Sequence, residues 1–398
     1  MQLNLSDRIM KPDFQGEFTA AILAAAASPD IISFAGGLPN PVSFPIPEME
    51  AATKKVLEEN GVIALQYSST AGWPALRKWI AKRYETMGVS GVSPDDIIVT
   101  NGSQQALAMM GAAMINPGDE VIVEDPTYLV ALQSFHFFDP QVLPVTMNPD
   151  GIDCDKLQET VQKHPNAKFA YLIPNFQNPT GLSYSQKVHD KVVEIFKGSN
   201  ILLLEDNPYR ELRFAGTATD SFGAELGEQC CMLGTFSKIV TPGMRIGWIC
   251  VRNKELREKL LGYKATADLH TNIFSQMVLA QYLADNDVDE HIAKTKVLYK
   301  AKSDLMVACL KKYLPEGCSL TPTEGGMFLW VTLPNGLSSV ELYRKALARG
   351  VAICPGDPFY ETERNVSSFR VNYSNSSDEA IEKGIRILGE ACAELINA

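Results

Sequence analysis

Residues 201–209 read Ile201-Leu202-Leu203-Leu204-Glu205-Asp206-Asn207-Pro208-Tyr209. Four consecutive apolar residues show no alternation, so both faces of this strand are buried, as in a parallel sheet covered by helices. Upstream, Ile97–Thr100, Val121–Glu124 and Phe169–Ile173 have the same character; downstream, so do Met232–Thr235 and Ile246–Val251. Helical stretches at Ser103–Ile115, Thr127–Phe138, Ser185–Lys197 and Asn253–Tyr263 separate most of them. The alternation predicts an α/β fold with a mainly parallel sheet. Its strands run into polar punctuation at Thr100-Asn101-Gly102-Ser103, Glu124-Asp125-Pro126-Thr127, Ile173-Pro174-Asn175 and Asp206-Asn207-Pro208. Open α/β sheets bind ligands outside the carboxyl ends of their strands, so these junctions converge on one candidate site.

The pattern changes after residue 290. A long helix over Glu290–Tyr313 leads to a glycine-led strand at Glu324–Val331, a helix over Ser338–Arg349, strands at Val351–Cys354 and Ser368–Tyr373, and a closing helix over Ser377–Asn397. Trp73-Pro74 starts a further helix through Leu76, Ile80 and Tyr84. The expected units are residues 1–45, an arm and short helix packing on the small domain; 46–290, the large α/β domain; and 291–398, a small α+β domain. No repeat or low-complexity linker interrupts the 398 residues.

Lys+Arg 36 against Asp+Glu 47 gives a net charge of −11, and no basic run offsets it. Nucleic acid and membrane are therefore not expected partners. The eight cysteines form no CxxC pair, and Cys231, Cys250 and Cys354 read as core residues, which suggests a reducing compartment. Met1–Lys11 lacks the apolar stretch of a signal peptide. The longest apolar run, Ala20–Ala27, falls short of the roughly 20 residues that cross a bilayer. A cytoplasmic location is expected.

No G-x-G-x-x-G after a strand, P-loop, G-x-S-x-G or H-E-x-x-H occurs. Five histidines show no metal-ligand spacing, so no metal is expected, and His136 reads as a packed core residue. Asn101–Ala106 opens a helix directly after a strand. Ser103 either simply caps it or helps free N–H groups hold a phosphate. Asn178-Pro179-Thr180-Gly181 reads as a turn or as part of the site. Asp206 is costly where it stands unless a cation or donor meets it, and Tyr209 could reach the same object. Lys238, in Gly234-Thr235-Phe236-Ser237-Lys238, is followed by Arg245 on an apolar strand, which suggests an anion pocket beside an amine. One ligand satisfies the set: a phosphate for Ser103, Gln104, Thr235, Ser237 and Arg245; a cationic ring nitrogen for Asp206; an oxygen for Asn178 and Tyr209; a carbonyl for Lys238. Pyridoxal 5′-phosphate has these features.

These residues, in this order, resemble the fold-type I pyridoxal-phosphate enzymes, specifically the class I/II aminotransferases. Ser33–Pro39, Gln66-Tyr67 before Gly72, Asn178–Gly181, Ser237-Lys238, Arg245-Ile246-Gly247 and Phe369–Tyr373 carry the resemblance over nearly the whole chain. Ala35-Gly36-Gly37-Leu38-Pro39 is most similar to the aminoadipate/kynurenine aminotransferase-like branch. The resemblance implies a mainly parallel seven-stranded sheet sandwiched by helices, and a ping-pong transfer of an amino group from an L-amino acid (apolar, aromatic or aminoadipate-like) to a 2-oxo acid such as 2-oxoglutarate.

It also implies roles. Lys238 carries the covalent link to the cofactor and then acts as base and acid in turn. Asp206 pairs with the ring nitrogen, Asn178 and Tyr209 with the ring oxygen. Tyr128 stacks on the ring, where the bland alternative is a core aromatic. Ser103, Gln104, Thr235, Ser237 and Arg245 hold the phosphate, and Tyr67 reaches the phosphate of the neighbouring subunit in a homodimer. Arg370 clamps the substrate α-carboxylate, where the alternative is a surface strand arginine. Gly37 lets substrate approach the backbone, and Asn178 also faces it.

Relatives accepting dicarboxylates usually carry an arginine in the short helix before Gly-Gly-Leu-Pro. Here Thr19 stands near that place, with Arg8 and Lys11 the nearest basic residues upstream, and Phe18, Ile22 and Leu23 favour an apolar or aromatic side chain. The same cofactor residues would also serve a β-lyase or decarboxylase. A DNA-binding regulator carrying such a domain fits poorly with the acidic charge and the roughly 30 residues ahead of the shared region.

Overall fold

The computed structural model describes residues 3–10 and 13–397; Lys11 lies outside them. The main sheet has the strand order Ile97–Asn101, Ile246–Val251, Cys230–Thr235, Leu202–Asp206, Phe169–Leu172, Glu120–Asp125, Gln141–Asn148, Gly151–Ile152. Pairing from Cys230–Thr235 across to Gln141–Asn148 is parallel throughout. Ile246–Val251 runs antiparallel to both neighbours. That reversal matters for the site. It pairs Ile246 with Asn101 and Gly247 with Thr235, which brings Arg245 to the edge where the parallel strands end.

The sheet has eight strands where seven were expected; the eighth is the two-residue Gly151–Ile152, which hairpins onto Met147–Asn148. Gln141–Asn148 itself is not evident in the sequence, because Pro144 and its exposed positions argue against a strand. Pro144 is tolerated because only the short hairpin strand lies on its outer side.

Successive strand residues enter opposite faces. Leu203 joins Val99, Leu172 and Trp248 in one buried cluster, while Leu204 joins Ile98, Val121 and Phe169 in another. Cys231, Cys250 and Cys354 are fully buried, and all eight cysteines are unpaired. No helix among the described residues is long and apolar enough to cross a membrane.

A third cluster gathers Phe328, Leu329, Phe369, Val371 and the closing helix Asp378–Ile396 around a four-stranded antiparallel sheet. It also takes in Phe34 from the N-terminal segment and Phe176, Tyr209 and Leu212 from loops of the large sheet, so those loops are part of its core. Val288–Tyr313 is one continuous helix of 26 residues. It gives Val288 and Ile292 to the first cluster and Tyr299, Met306 and Leu310 to the third, so the passage between units lies inside a helix rather than at a linker. The helix Phe14–Ala27 buries Ile22 and Ala25 against Leu129 as well as Trp330, Cys354 and Phe359. It therefore bridges both units, where the sequence placed it on the C-terminal one alone. His136 is a correction: it ends its helix half-buried, 3.0 Å from Glu361, rather than packed in apolar surroundings.

At Gly247 a Cβ would lie 2.5 Å from the Ser103 amide nitrogen and 2.7 Å from the Gly102 carbonyl carbon. Backbone cannot retreat like a flexible side chain, so Gly247→Ala is expected to cost about 1–3 kcal/mol in denaturant unfolding. Gly262→Ala, in open space on the helix Lys254–Ala267, is expected to stabilise by about 0.5–1 kcal/mol.

Candidate active site

At the carboxyl edge of the sheet lies a cavity of about 370 Å³. Ser103, Gln104, Tyr128, Asn178, Asp206, Tyr209, Thr235, Ser237, Lys238, Arg245, Gly37 and Arg370 all line it. Tyr67 does not; it is 79% exposed, its ring 6.0 Å from that of His270.

The phosphate-cradle candidates meet where Ile97–Asn101 turns into the helix Ser103–Met114. The cap differs from expectation. Gly102, at φ +71°, is the N-cap, and Ser103 is the first helical residue with no capping bond. Only glycine fits at 102. The conformation disfavours a side chain, and a Cβ would run into the Arg245 guanidinium. Arg245 itself holds a left-handed backbone (φ +56°), and its Nη1 lies 3.1 Å from the Pro242 carbonyl and 3.5 Å from Ser237 Oγ. Thr235 Oγ1 accepts from the Ser237 amide at 3.1 Å, which closes the turn before Lys238. The Gln104 side chain is committed elsewhere, donating to Ser134 Oγ at 2.6 Å. What it leaves for an anion is its backbone N–H in the first helical turn, where the helix has no internal acceptor to offer.

Asp206 is 4% exposed. Its Oδ2 accepts from the Tyr171 hydroxyl at 2.7 Å, while Oδ1 is buried with no partner among the described residues. Burial pushes its carboxyl up to about 6, the Tyr171 bond pulls it down, and Glu205 next to it pushes it up. Lys238 Nζ donates to the Gly37 carbonyl at 2.8 Å. Burial, and then the Arg370 and Arg245 charges, pull its ammonium down to about 8. Burial pushes the Tyr128 hydroxyl up to about 12 and raises that of Tyr209, so both are neutral donors at pH 7.

Arg370 reaches the cavity from the C-terminal unit. It lies 4% exposed between the rings of Phe328 (4.1 Å) and Phe359 (5.0 Å), donating to Asn178 Oδ1 at 2.5 Å and the Ala35 carbonyl at 2.6 Å. It is thus no surface arginine. On the outer wall the structure places Thr19, Ile22 and Leu23, but not Phe18, whose ring packs on Phe14 at 5.3 Å. The Thr19 hydroxyl donates to the Gln15 carbonyl at 2.9 Å, spending its one proton within its own helix.

Sequence reasoning placed Ile173 at a strand end that meets the site but did not single out Tyr171, Leu129 or Phe328. Tyr171 lies inside the strand that leads to Ile173, and Phe328 follows Gly325-Gly326-Met327, signals visible only as neighbours of named motifs.

The donor set suits a phosphorylated pyridine aldehyde. An unpartnered buried carboxylate oxygen calls for a cationic N–H, a depressed lysine amine suits a carbonyl, and a helix start beside Arg245 suits a phosphate. Comparison with known proteins agrees. The family model described as aminotransferase class I and II matches residues 35–388. Aromatic-amino-acid aminotransferase 1 of Thermococcus litoralis is 39% identical over 94% of this chain and 90% of its own length. The structure of a Pyrococcus horikoshii kynurenine aminotransferase, in complex with PMP, superimposes with a TM-score of 0.92 at 36% identity, covering 99% of this chain and 98% of its own. That of the α-aminoadipate aminotransferase of Thermus thermophilus, complexed with N-(5′-phosphopyridoxyl)-L-leucine, gives 0.89 at 34% identity, covering 99% and 100%.

An amine depressed to about 8 is neutralised as pH rises through that value. Borohydride trapping of pyridoxal phosphate on Lys238 is expected to rise about tenfold per unit below pH 8 and to level off above it. A midpoint near 10.5, or label at another lysine, would contradict this electrostatic reading.

Proposed function

The chain belongs to the class I and II aminotransferases, a pyridoxal-phosphate-dependent transaminase of fold type I, and on that premise we propose that its amino donor carries an apolar or aromatic side chain. The observation that carries this reading is a count of cations. Lys238, Arg245 and Arg370 are the only basic residues lining the cavity among those described. In the proposed roles Lys238 meets the carbonyl, Arg245 the phosphate and Arg370 the substrate α-carboxylate. None is left for a carboxylate on the substrate side chain. Thr19, where a basic residue would serve an acidic side chain, has no proton to spare, and Ile22, Leu23 and Leu38 make the wall apolar.

Within this reading Ser103, the Gln104 amide, Thr235, Ser237 and Arg245 hold the phosphate. Asp206 meets the ring nitrogen, Asn178 and Tyr209 the ring oxygen, and Tyr128 covers a ring face. The cofactor supplies an electron sink for the carbon that loses its α-proton. Everything else falls to the chain. Arg370, fixed between two phenyl rings, orients the α-carboxylate, and its planar fork still has N–H groups to give. Lys238 Nζ, held beside the Gly37 carbonyl, takes the α-proton as the neutral amine and returns it as the ammonium. Gly37 leaves the backbone open to substrate; a Cβ there would lie 3.0 Å from the Phe328 ring.

The active unit is proposed to be a homodimer in which Tyr67 serves the neighbouring site. Tyr67, Val62, Leu65, Ile46 and Val42 are all at least 67% exposed, an apolar group that supports burial against a second copy. Unpaired cysteines support a reducing, cytoplasmic setting.

In single half-reactions of the pyridoxal-phosphate-loaded enzyme with no acceptor present, followed by cofactor absorbance, leucine and phenylalanine are expected to exceed glutamate and 2-aminoadipate in second-order rate constant. Thr19→Arg is expected to shift that ratio toward the acids by about tenfold or more. A wild-type preference for acidic donors would refute the specificity. Mixing full-length Tyr67→Ala and Lys238→Ala chains, each impaired alone, is expected to restore about a quarter of wild-type activity, since half the dimers then carry one intact site. No recovery after verified exchange would refute the shared site.

A further inference from the structure

Asp206 has two oxygens with different fates. Tyr171 lies on Phe169–Leu172, the strand next to Leu202–Asp206, with Tyr171 paired to Leu204 in register. It is fully buried, and its ring meets that of Phe135 edge-on at 5.7 Å. From this fixed position its hydroxyl donates to Oδ2 at 2.7 Å, and Oδ1 alone is left without a partner.

We infer that Tyr171 is a positioning residue: by holding Oδ2 it fixes the rotation of the Asp206 carboxylate so that Oδ1 meets the cationic ring nitrogen of the cofactor. This rests on the reading of the cavity as the cofactor's site. The hydroxyl has a second effect in the same direction. Burial and Glu205 both favour the protonated acid, and the Tyr171 bond opposes them. The other groups facing Asp206 are Glu124 on Glu120–Asp125, Tyr128 and Tyr209, with Lys238, Arg245 and Arg370 in the same cavity. Among the described residues it is Tyr171 that donates a side-chain hydrogen bond to Asp206.

Tyr171→Phe removes one hydroxyl and keeps the ring, so the test compares full-length wild type, Tyr171→Phe, Asp206→Ala and the double variant. Pyridoxal phosphate affinity is read by fluorescence and absorbance across pH, with unfolding temperature monitored beside it. Affinity in Tyr171→Phe is expected to fall on the order of tenfold at pH 7. Its acid limb should move up by about one pH unit, because losing the donor lets Asp206 protonate earlier. In the loaded enzyme kcat should fall while KM for the amino donor holds within about twofold. In the Asp206→Ala background the same substitution should change nothing further. Wild-type affinity and acid limb in Tyr171→Phe would overturn the inference, as would an equal loss in both backgrounds. Failure of the wild type to bind pyridoxal phosphate would instead remove the reading of the cavity itself.

Discussion

A carboxylate buried at the end of a strand costs several kcal/mol unless a donor or cation meets it. Asp206 stands in that position with one oxygen bonded to Tyr171 and the other bare. Around it the sheet edge supplies a lysine amine, a helix start and the Arg245 guanidinium, the C-terminal unit adds that of Arg370, and only the carboxylate carries the opposite sign among the described ionisable groups lining the cavity. Burial, and after it the surrounding cations, depresses Lys238 toward a usable base, and burial keeps the neighbouring tyrosines as neutral donors. A ligand that is anionic at one end, cationic at the ring and carbonyl-bearing between them relieves each of these costs at once.

Sheet topology makes the convergence possible. Strands running in one direction deliver Asn101, Asp125, Ile173 and Asp206 to one edge, and the antiparallel strand Ile246–Val251 brings Arg245 there too. The reversal puts Gly247 against the Ser103 amide, so the proposed phosphate cradle and the strand that carries its arginine are packed backbone to backbone. The C-terminal unit contributes Arg370 and Phe328, and the N-terminal segment contributes Gly37, whose carbonyl accepts from Lys238. Tyr209 and Phe328 meet edge-on at 5.6 Å, so a proposed cofactor contact and the wall of the other unit share one core.

Specificity, in the proposed reading, turns on what the bridging helix Phe14–Ala27 offers. Its inner face gives methyl groups and a threonine hydroxyl already spent on its own helix. An apolar side chain needs nothing more from that wall, whereas an acidic one would be left facing it without a donor.

The sequence by itself determined the strand character of six segments, the family, and which residue types gather where strands end, because buried parallel strands read as unbroken apolar runs and their punctuation is chemically loud. It could not determine the exposed strand Gln141–Asn148, where Pro144 masks the signal, nor that Gly102 rather than Ser103 caps the cradle helix, which depends on room for Arg245. His136 beside Glu361, and Phe18 turned toward Phe14, were settled by neighbours distant in sequence or along the helix. Tyr171 is the sharpest case. In the sequence it is one aromatic in an apolar strand; only the register between adjacent strands carries its hydroxyl to Asp206, because which atoms meet across a sheet is a property of pairing and not of composition.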